Sequence, residues 1–316
     1  MPKCPLCNQE INNIIEKYNE YQLYSCSDCD IKFFFPIEQY IYEDKYTNYD
    51  PKSPYGYNMW FRNLKKIHKT FLGDLMISDP AFNKILQIIP YVAKKNGVIL
   101  DIGCGSGFLM KKLKQKGFYV YGCEVVQPLV DSLNNLGYEV YNSKKSITYP
   151  ISWKKPDTII FTEVLEHMPN PKEFLLNIFK EFPLSNVIVS VPHPERLPVS
   201  IGIKDFGDYP PHHFTRWTAK SLKKILLETG YKKVKIIECS VQWNESIMGL
   251  VLKIMTLGRP KHVTNYIIIK YAWSSFKIVC YILFYPFLYL IAQPLIIYFS
   301  YIGVKGRSLI ALASPD

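Results

Sequence analysis

Behind its opening Met-Pro-Lys-Cys-Pro-Leu-Cys the sequence has no apolar core region and no small-residue cleavage site, so no secretory signal is expected and a cytoplasmic protein is. It has no internal repeat and no low-complexity tract. No Gly-Lys-Ser/Thr closes its glycine-rich turn, which excludes a Walker A phosphate loop. Acidic residues are scarce: 27 Asp and Glu face 38 Lys and Arg, and the formal charge of +11 favours acidic partners such as nucleic acid, anionic lipid headgroups or phosphorylated substrates without choosing among them. Charge of either sign is missing from Ile278 to Val304, a run of 27 residues, when about 20 suffice to span a bilayer. With 48% apolar and 21% charged residues, wholesale disorder is excluded, and 316 residues are enough for one large or two ordinary domains.

Eight cysteines do not make a disulfide scaffold here, because four form two C-x-x-C pairs while Cys104, Cys123, Cys239 and Cys280 are scattered, a usage that fits a reducing compartment. Cys4-x-x-Cys7 and Cys26-x-x-Cys29 flank an 18-residue interval. Each C-x-x-C turn presents two sulfurs on one side, and two such turns complete a tetrahedron around Zn2+. A redox dithiol would need a thioredoxin-like βαβ unit around one pair and would leave the second unexplained. Cys4, Cys7, Cys26 and Cys29 are therefore the expected zinc ligands, and residues 1–40 a zinc ribbon. Four thiolates leave no position for water or substrate, so the metal is expected to be structural.

Residues 41–78 read as a connector and helical lid, tyrosine-rich from Tyr40 to Tyr57 and then basic and helical around Trp60 to Leu75. From Asp79 onward strands and helices alternate. Asp79-Pro80 opens a helix with Ile85, Ile88, Ile89 and Val92 on one face and Gly97 beyond its end. Strands are predicted at Val98–Ile102, Tyr119–Cys123, Tyr138–Tyr141, Asp157–Phe161, Asn186–Val191 and Val234–Cys239. Helices are predicted from Phe108 to Lys116, Pro128 to Leu136, Pro171 to about Phe182, and from the Thr218 cap to Gly230. Strands separated by helices of ten or so residues mean βαβ units and a parallel sheet covered on both faces, so residues 79–316 are expected to form a doubly wound α/β domain.

The strand Val98-Ile-Leu-Asp101-Ile runs into Gly103-Cys104-Gly105-Ser-Gly107 and opens a helix at Phe108. Glycines at such a turn let the backbone lie against a ligand at a helix N-terminus. A dinucleotide fingerprint would carry its third glycine at Phe108, and here it comes one residue early. Leu-Asp-Ile-Gly-Cys-Gly-Ser-Gly instead resembles the first motif of class I S-adenosylmethionine-dependent methyltransferases. The resemblance extends to Glu124 at the end of the next strand and to Phe161-Thr162-Glu163-Val-Leu-Glu-His167, which is similar to the family's fourth-strand motif; it covers about Val98 to Ser240, with Arg307 to Ala313 as a last strand. It implies a Rossmann-like seven-stranded sheet with the last strand antiparallel beside the fifth. It also implies S-adenosylmethionine held by Asp101, Gly103, Cys104, Gly105, Gly107 and Glu124, with the acid on the ribose hydroxyls and Thr162 and Glu163 at the methionine end. Where the family often has an acid for the adenine amino group, this sequence has Asn142-Ser143-Lys144.

Methyl transfer asks for a nucleophile aligned with the sulfonium methyl, exclusion of water and, for a weakly acidic acceptor, a base. His167, His193 in Val191-Pro-His-Pro and His213 in Tyr209-Pro-Pro-His-His-Phe follow strand ends on the ligand side of such a sheet and are the candidate catalytic residues. His167 reads equally as a turn cap and His213 as an anchor before the Trp-Thr helix start, while Glu166 is either a solvated helix-end charge or a site residue.

Residues 243–304 form a large apolar insertion before the last strand. Tyr266, Tyr271, Trp273, Lys270 and Lys277 precede the uncharged run and Lys305 and Arg307 follow it, like aromatic and basic anchors at a bilayer interface. Both ends join one sheet, which argues against a single crossing, and Pro286 and Pro294 with Gln293 are expected to break the run into two short helices that dip in and come back or lie at the interface. A helical hairpin buried against the domain or a twin subunit in a homodimer is the other reading. The expected function is methyl transfer to a small-molecule, glycan or lipid-linked acceptor, by a cytoplasmic protein peripheral or monotopic on the inner membrane face. The alternative is an RNA (rRNA) methyltransferase that uses the ribbon and basic surface to grip nucleic acid.

Overall fold

The computed structural model describes residues 1–37, 80–143, 149–150, 152–200, 202, 206–242, 245–246, 289–290 and 292–316. The tyrosine-rich connector, the basic lid helix, Asp79, Lys144, Cys280 and most of the apolar insertion lie outside the described residues.

The chain begins with three short strands, β1 (Ile14–Tyr18), β2 (Tyr21–Cys26) and β3 (Ile31–Phe35), in an antiparallel meander. Then come α1 (Pro80–Val92), β4 (Val98–Ile102), α2 (Phe108–Gln115), β5 (Tyr119–Glu124), α3 (Gln127–Asn135), β6 (Glu139–Asn142) and β7 (Thr158–Thr162). They are followed by α4 (Pro171–Glu181), β8 (Asn186–Pro192), β9 (Thr215–Arg216), α5 (Ala219–Glu228), β10 (Lys233–Glu238) and β11 (Ser308–Ser314).

Seven strands make one sheet in the order β10-β11-β8-β7-β4-β5-β6. Only β11 runs against the rest, paired antiparallel with both β10 and β8, so the expected last strand is where the resemblance placed it. The alternation of β4 divides the core: Val98, Leu100 and Ile102 face one layer with Leu175, Ile178, Leu222 and Ile225, while Ile99 faces the other with Ile85, Leu109, Leu129 and Leu133. The caps are those the sequence announces. Asn170 accepts the amide of Glu173 at 3.4 Å to open α4, and Thr218 and Ser221 form a reciprocal capping pair at α5.

The chain leaves β4 toward β5 and β6, then returns to β7 on the other side, so the topological switch lies between β4 and β7. In an open α/β sheet the ligand crevice is outside the carboxyl ends of the strands at that point. The glycine turn after β4 and the turn after β7 both open there.

The N-terminal meander does not stand apart. Its sheet has a fourth strand, β9, from the methyltransferase-like half, and its buried Cys4, Leu6, Tyr24, Cys26, Ile31 and Phe33 share one core with Trp217, Leu222 and Leu226. Among the described residues no helix is long and apolar enough to cross a membrane.

Candidate cofactor and acceptor site

Gly103 sits at φ +72°, and a Cβ there would come within 2.6 Å of Val164 Cγ2, so the residue must be glycine for conformation and for space. Gly107, also left-handed, is the N-cap of α2 and carries no side-chain cap, so the positive end of that helix adjoins the glycine turn. Glu124, buried at the end of β5, braces this turn. Its Oε2 accepts the amide of Gly105 at 2.9 Å, and its Oε1 accepts those of Val125 at 2.8 Å and Val126 at 3.1 Å. Burial raises the Glu124 pKa while these three amides lower it.

Asp101 is 1% exposed, and neither carboxylate oxygen has a hydrogen-bond partner among the described residues. Burial, and then the charge of Glu124, push its pKa up to about 8. A buried acid without a partner is costly unless a ligand satisfies it. The Cys104 sulfur lies in the layer of Ile99, beside Gly122, the residue paired with Asp101. Its thiol is pushed up by burial first and then by the charges of Asp101 and Glu124, while its amide is spent on the Cys123 carbonyl.

After β7 the chain turns through Glu163 at φ +54°, whose Oε1 accepts the Ser190 hydroxyl at 3.0 Å. Thr162 is buried beside it. In the adenine region, Asn142 donates to the Val125 carbonyl and to Gln127 Oε1 at 2.8 Å, so it is engaged in fixing the strand end.

The short 3-10 turn Leu165–His167 brings Glu166 and His167 up to His213. Glu166 is fully buried and neither oxygen makes a hydrogen bond among the described residues, which decides against a solvated helix-end charge. Its Oε1 lies 3.8 Å from His213 Nε2 and 3.9 Å from His167 Nε2. Burial, and then the charge of Glu163, hold the Glu166 pKa well above the usual carboxylate range. The His167 pKa is well below the usual imidazole range, from burial first and His213 second, and its Nδ1 is hydrogen-bonded to the His212 carbonyl.

His213 stands between two carboxylates, with Nδ1 3.6 Å from Asp208 Oδ1 and Nε2 toward Glu166. Asp208 is paired with Arg196; burial would raise its pKa, but Arg196 and His213 hold it below the ordinary value. One donor atom each from Glu166, His167 and His213 falls within 4.8 Å of the others, a set that can share a proton or hold a divalent cation.

His193 is placed elsewhere. It is buried, its Nδ1 accepts the amide of Glu195 at 3.1 Å, and its Nε2 faces Glu238 at 3.8 Å beside Lys305.

The four N-terminal thiols converge within 4.8 Å of one another, and Cys7 Sγ and Cys26 Sγ are 3.8 Å apart. Zinc–sulfur bonds of about 2.3 Å in a tetrahedron put sulfurs about 3.8 Å apart, so the donor set fits the metal. Lys224 Nζ lies 3.3 Å from Cys29 Sγ, where it would offset the negative charge of four thiolates around a metal.

The chain is 32% identical over 112 residues to a ubiquinone biosynthesis O-methyltransferase of Rickettsia bellii, covering 33% of this chain and 46% of that protein. It is 25% identical over 134 residues to an uncharacterized methyltransferase of Anoxybacillus flavithermus, covering 42% and 55%. It therefore spans about half the length of the curated relatives it matches. Among solved structures, phosphoethanolamine N-methyltransferase 2 of Haemonchus contortus superposes with a TM-score of 0.50 at 14% identity, covering 90% of this chain and 62% of that one, a likeness of fold. A SAM-dependent methyltransferase from Archaeoglobus fulgidus gives 0.47 at 18% identity, covering 81% and 99%. The sequence model of the methyltransferase domain matches residues 77–236, a range that contains α1, ends within β10 and includes the glycine turn, Glu124 and the histidine loop. With just over half of its length matched in this way, the chain belongs to the methyltransferase domain family.

Proposed function

We propose that the chain transfers a methyl group from S-adenosylmethionine to a small-molecule, glycan or lipid-linked acceptor at the cytoplasmic face of a membrane. The observation that carries the cofactor half is Asp101, buried with two unsatisfied oxygens beside a glycine turn braced by Glu124. Negative potential from Glu124 and Glu163, joined by Asp101 when a cationic cofactor draws off its proton, suits a cofactor bearing positive charge. In this reading Asp101, the Gly103–Gly107 backbone and Glu124 hold the cofactor, with Thr162 and Glu163 at its methionine end. S-adenosylmethionine supplies an electrophilic methyl group on its sulfonium.

The chain's own part is positioning and proton transfer. His213 is the proton acceptor for the acceptor's nucleophilic atom, oriented by Asp208 at Nδ1. His167, neutral and anchored on the His212 carbonyl, holds the loop against Glu166. His193, engaged with Glu238, is given no part.

The name of the Rickettsia bellii relative supports an oxygen nucleophile and an apolar acceptor. The end of the apolar insertion supports the membrane part of this reading. Residues 292–301 are helical, with Phe299 buried against Leu197, Val241 and Val304 while Ile297 and Tyr301 are 67% and 88% exposed. An apolar face of this kind suits a membrane surface or a partner. The four-thiolate zinc is structural.

The test is to incubate the full chain with methyl-labelled S-adenosylmethionine and separate extracts of lipid, glycan, small molecules and RNA. Label in lipid, glycan or small-molecule material is expected. Label confined to RNA overturns the acceptor class, and no label in any fraction from a chain that binds the cofactor overturns the transferase reading.

A further inference from the structure

The loop that carries His213 is strung between two supports. On one side the Phe214 amide donates to the Glu166 carbonyl at 2.9 Å, and the His212 carbonyl meets His167. On the other side the support is the ribbon. β9 pairs with β3 through Lys32–Arg216 and Phe33–Thr215, and the Phe34 amide donates to the Phe214 carbonyl at 2.8 Å. A two-residue strand has too little of its own to stay in place, so the edge it pairs with decides its position.

Side chains repeat the connection. Tyr209 Oη donates to Glu16 Oε1 at 2.9 Å, and Arg216 lies 3.7 Å from Glu16 Oε2. The Arg216 guanidinium rests over the rings of Phe34 and Tyr209, at 5.1 and 4.9 Å, and Tyr18 packs on Tyr209 with ring centroids 4.3 Å apart. Tyr21, Leu23 and Phe34 of the ribbon share a buried cluster with Tyr209 and Phe214 of the loop. At the far end, Thr218 Oγ1 is 2.8 Å from Asp30 Oδ2.

The four thiols lie where this support is closed. Cys26 ends β2, Cys29 lies in the turn, and Ile31 begins β3 opposite Cys26. A ribbon of fewer than forty residues has little core of its own and depends on its metal for its shape. By contrast, the glycine turn is fixed by Glu124 and by Cys123, whose carbonyl takes the Gly103 amide at 2.8 Å.

We propose that the N-terminal ribbon is the positioning element of the acceptor side: its zinc centre and the edge of β3 hold residues 208–217, and with them His213, in register with Glu166, while the cofactor turn is independent of both. This rests on the reading of His213 as an acceptor-side residue and of the four thiols as a zinc site. Glu16, Tyr209 and Arg216 are positioning residues in this account.

The test compares the full chain as purified, the same chain after zinc removal, and Glu16→Ala and Glu16→Gln variants, with metal content measured in every sample. Amide hydrogen exchange and S-adenosylmethionine affinity are the readouts. Zinc removal should raise exchange at the Phe34 and Phe214 amides about tenfold or more, with the β7 amides and cofactor affinity unchanged. Glu16→Ala should do the same with zinc still bound, and Glu16→Gln, which can still accept from Tyr209, should restore part of the protection. Unchanged exchange at Phe214 in both the metal-free chain and Glu16→Ala overturns the proposal, as does equal loss of protection in β7. A chain purified without zinc defeats the metal assignment, while the Glu16 variants still decide the coupling.

Discussion

Glu124 Oε2 accepts the amide proton of Gly105 at 2.9 Å, so the acid that ends the second parallel strand holds the glycine turn that ends the first. One side chain thereby shapes the crevice and lends it charge. Glu124→Ala removes an acceptor for three buried amides, at about 1.5–3 kcal/mol for a charged partner, and should weaken S-adenosylmethionine binding about tenfold or more. Calorimetric affinity equal to that of the parent contradicts the assignment of Glu124.

The Asp101 carboxyl, pushed up to about 8 by burial and the charge of Glu124, should make the cofactor-free chain less stable as pH rises. Its unfolded value is about 3.9, so the native state keeps the proton where the unfolded chain has lost it. The stability attached to that proton is fully present below about pH 4 and is lost as pH rises through about 8. Asp101→Asn keeps the shape and removes the titration. It should raise the melting temperature more at pH 8 than at pH 5 while weakening cofactor binding; an equal change at both pH values contradicts the account.

His213, with Asp208 at one ring nitrogen and Glu166 at the other, should be required for turnover and not for cofactor binding. Once an acceptor is known, His213→Ala should lower turnover by about 10² to 10⁴ at nearly constant S-adenosylmethionine affinity. Parent-like turnover would leave His213 an anchor of its loop.

The described end of the insertion exposes Leu290, Ile297 and Tyr301, and burying such side chains at about 1.5–3 kcal/mol each holds a protein at a bilayer more firmly than basic flanks alone. In fractionated cells, high salt should fail to strip the chain from membranes and detergent should release it. A monodisperse dimer in the soluble fraction would make this face a subunit interface.

The doubly wound half was legible because its signals are local. Val98–Ile102 is an unbroken apolar strand, Asn170 and Thr218 cap the helices they announce, and Gly117 and Gly137 stop theirs with positive φ. What was hidden is long-range. Glu166 reads as an ordinary polar residue near a turn, and only the packing of the 208–217 loop over it shows that it is sealed from water between two imidazoles. The pairing of β9 with the ribbon joins residues about 180 positions apart through two residue pairs, too short to leave a periodic pattern. The contact of His193 with Glu238, on the strand that follows α5, joins residues 45 positions apart and is likewise absent from any local pattern. Cys104 occupies a motif position, yet its side chain belongs to the core.

The central claim, that the crevice above β4 holds a methyl donor, is tested most directly by calorimetric titration of the full chain with S-adenosylmethionine. Asp101 and the Glu124-braced turn predict saturable binding at one site per chain, lost or strongly weakened in Asp101→Asn and Glu124→Ala. No saturable binding by the folded parent, or binding that both variants leave intact, would contradict it.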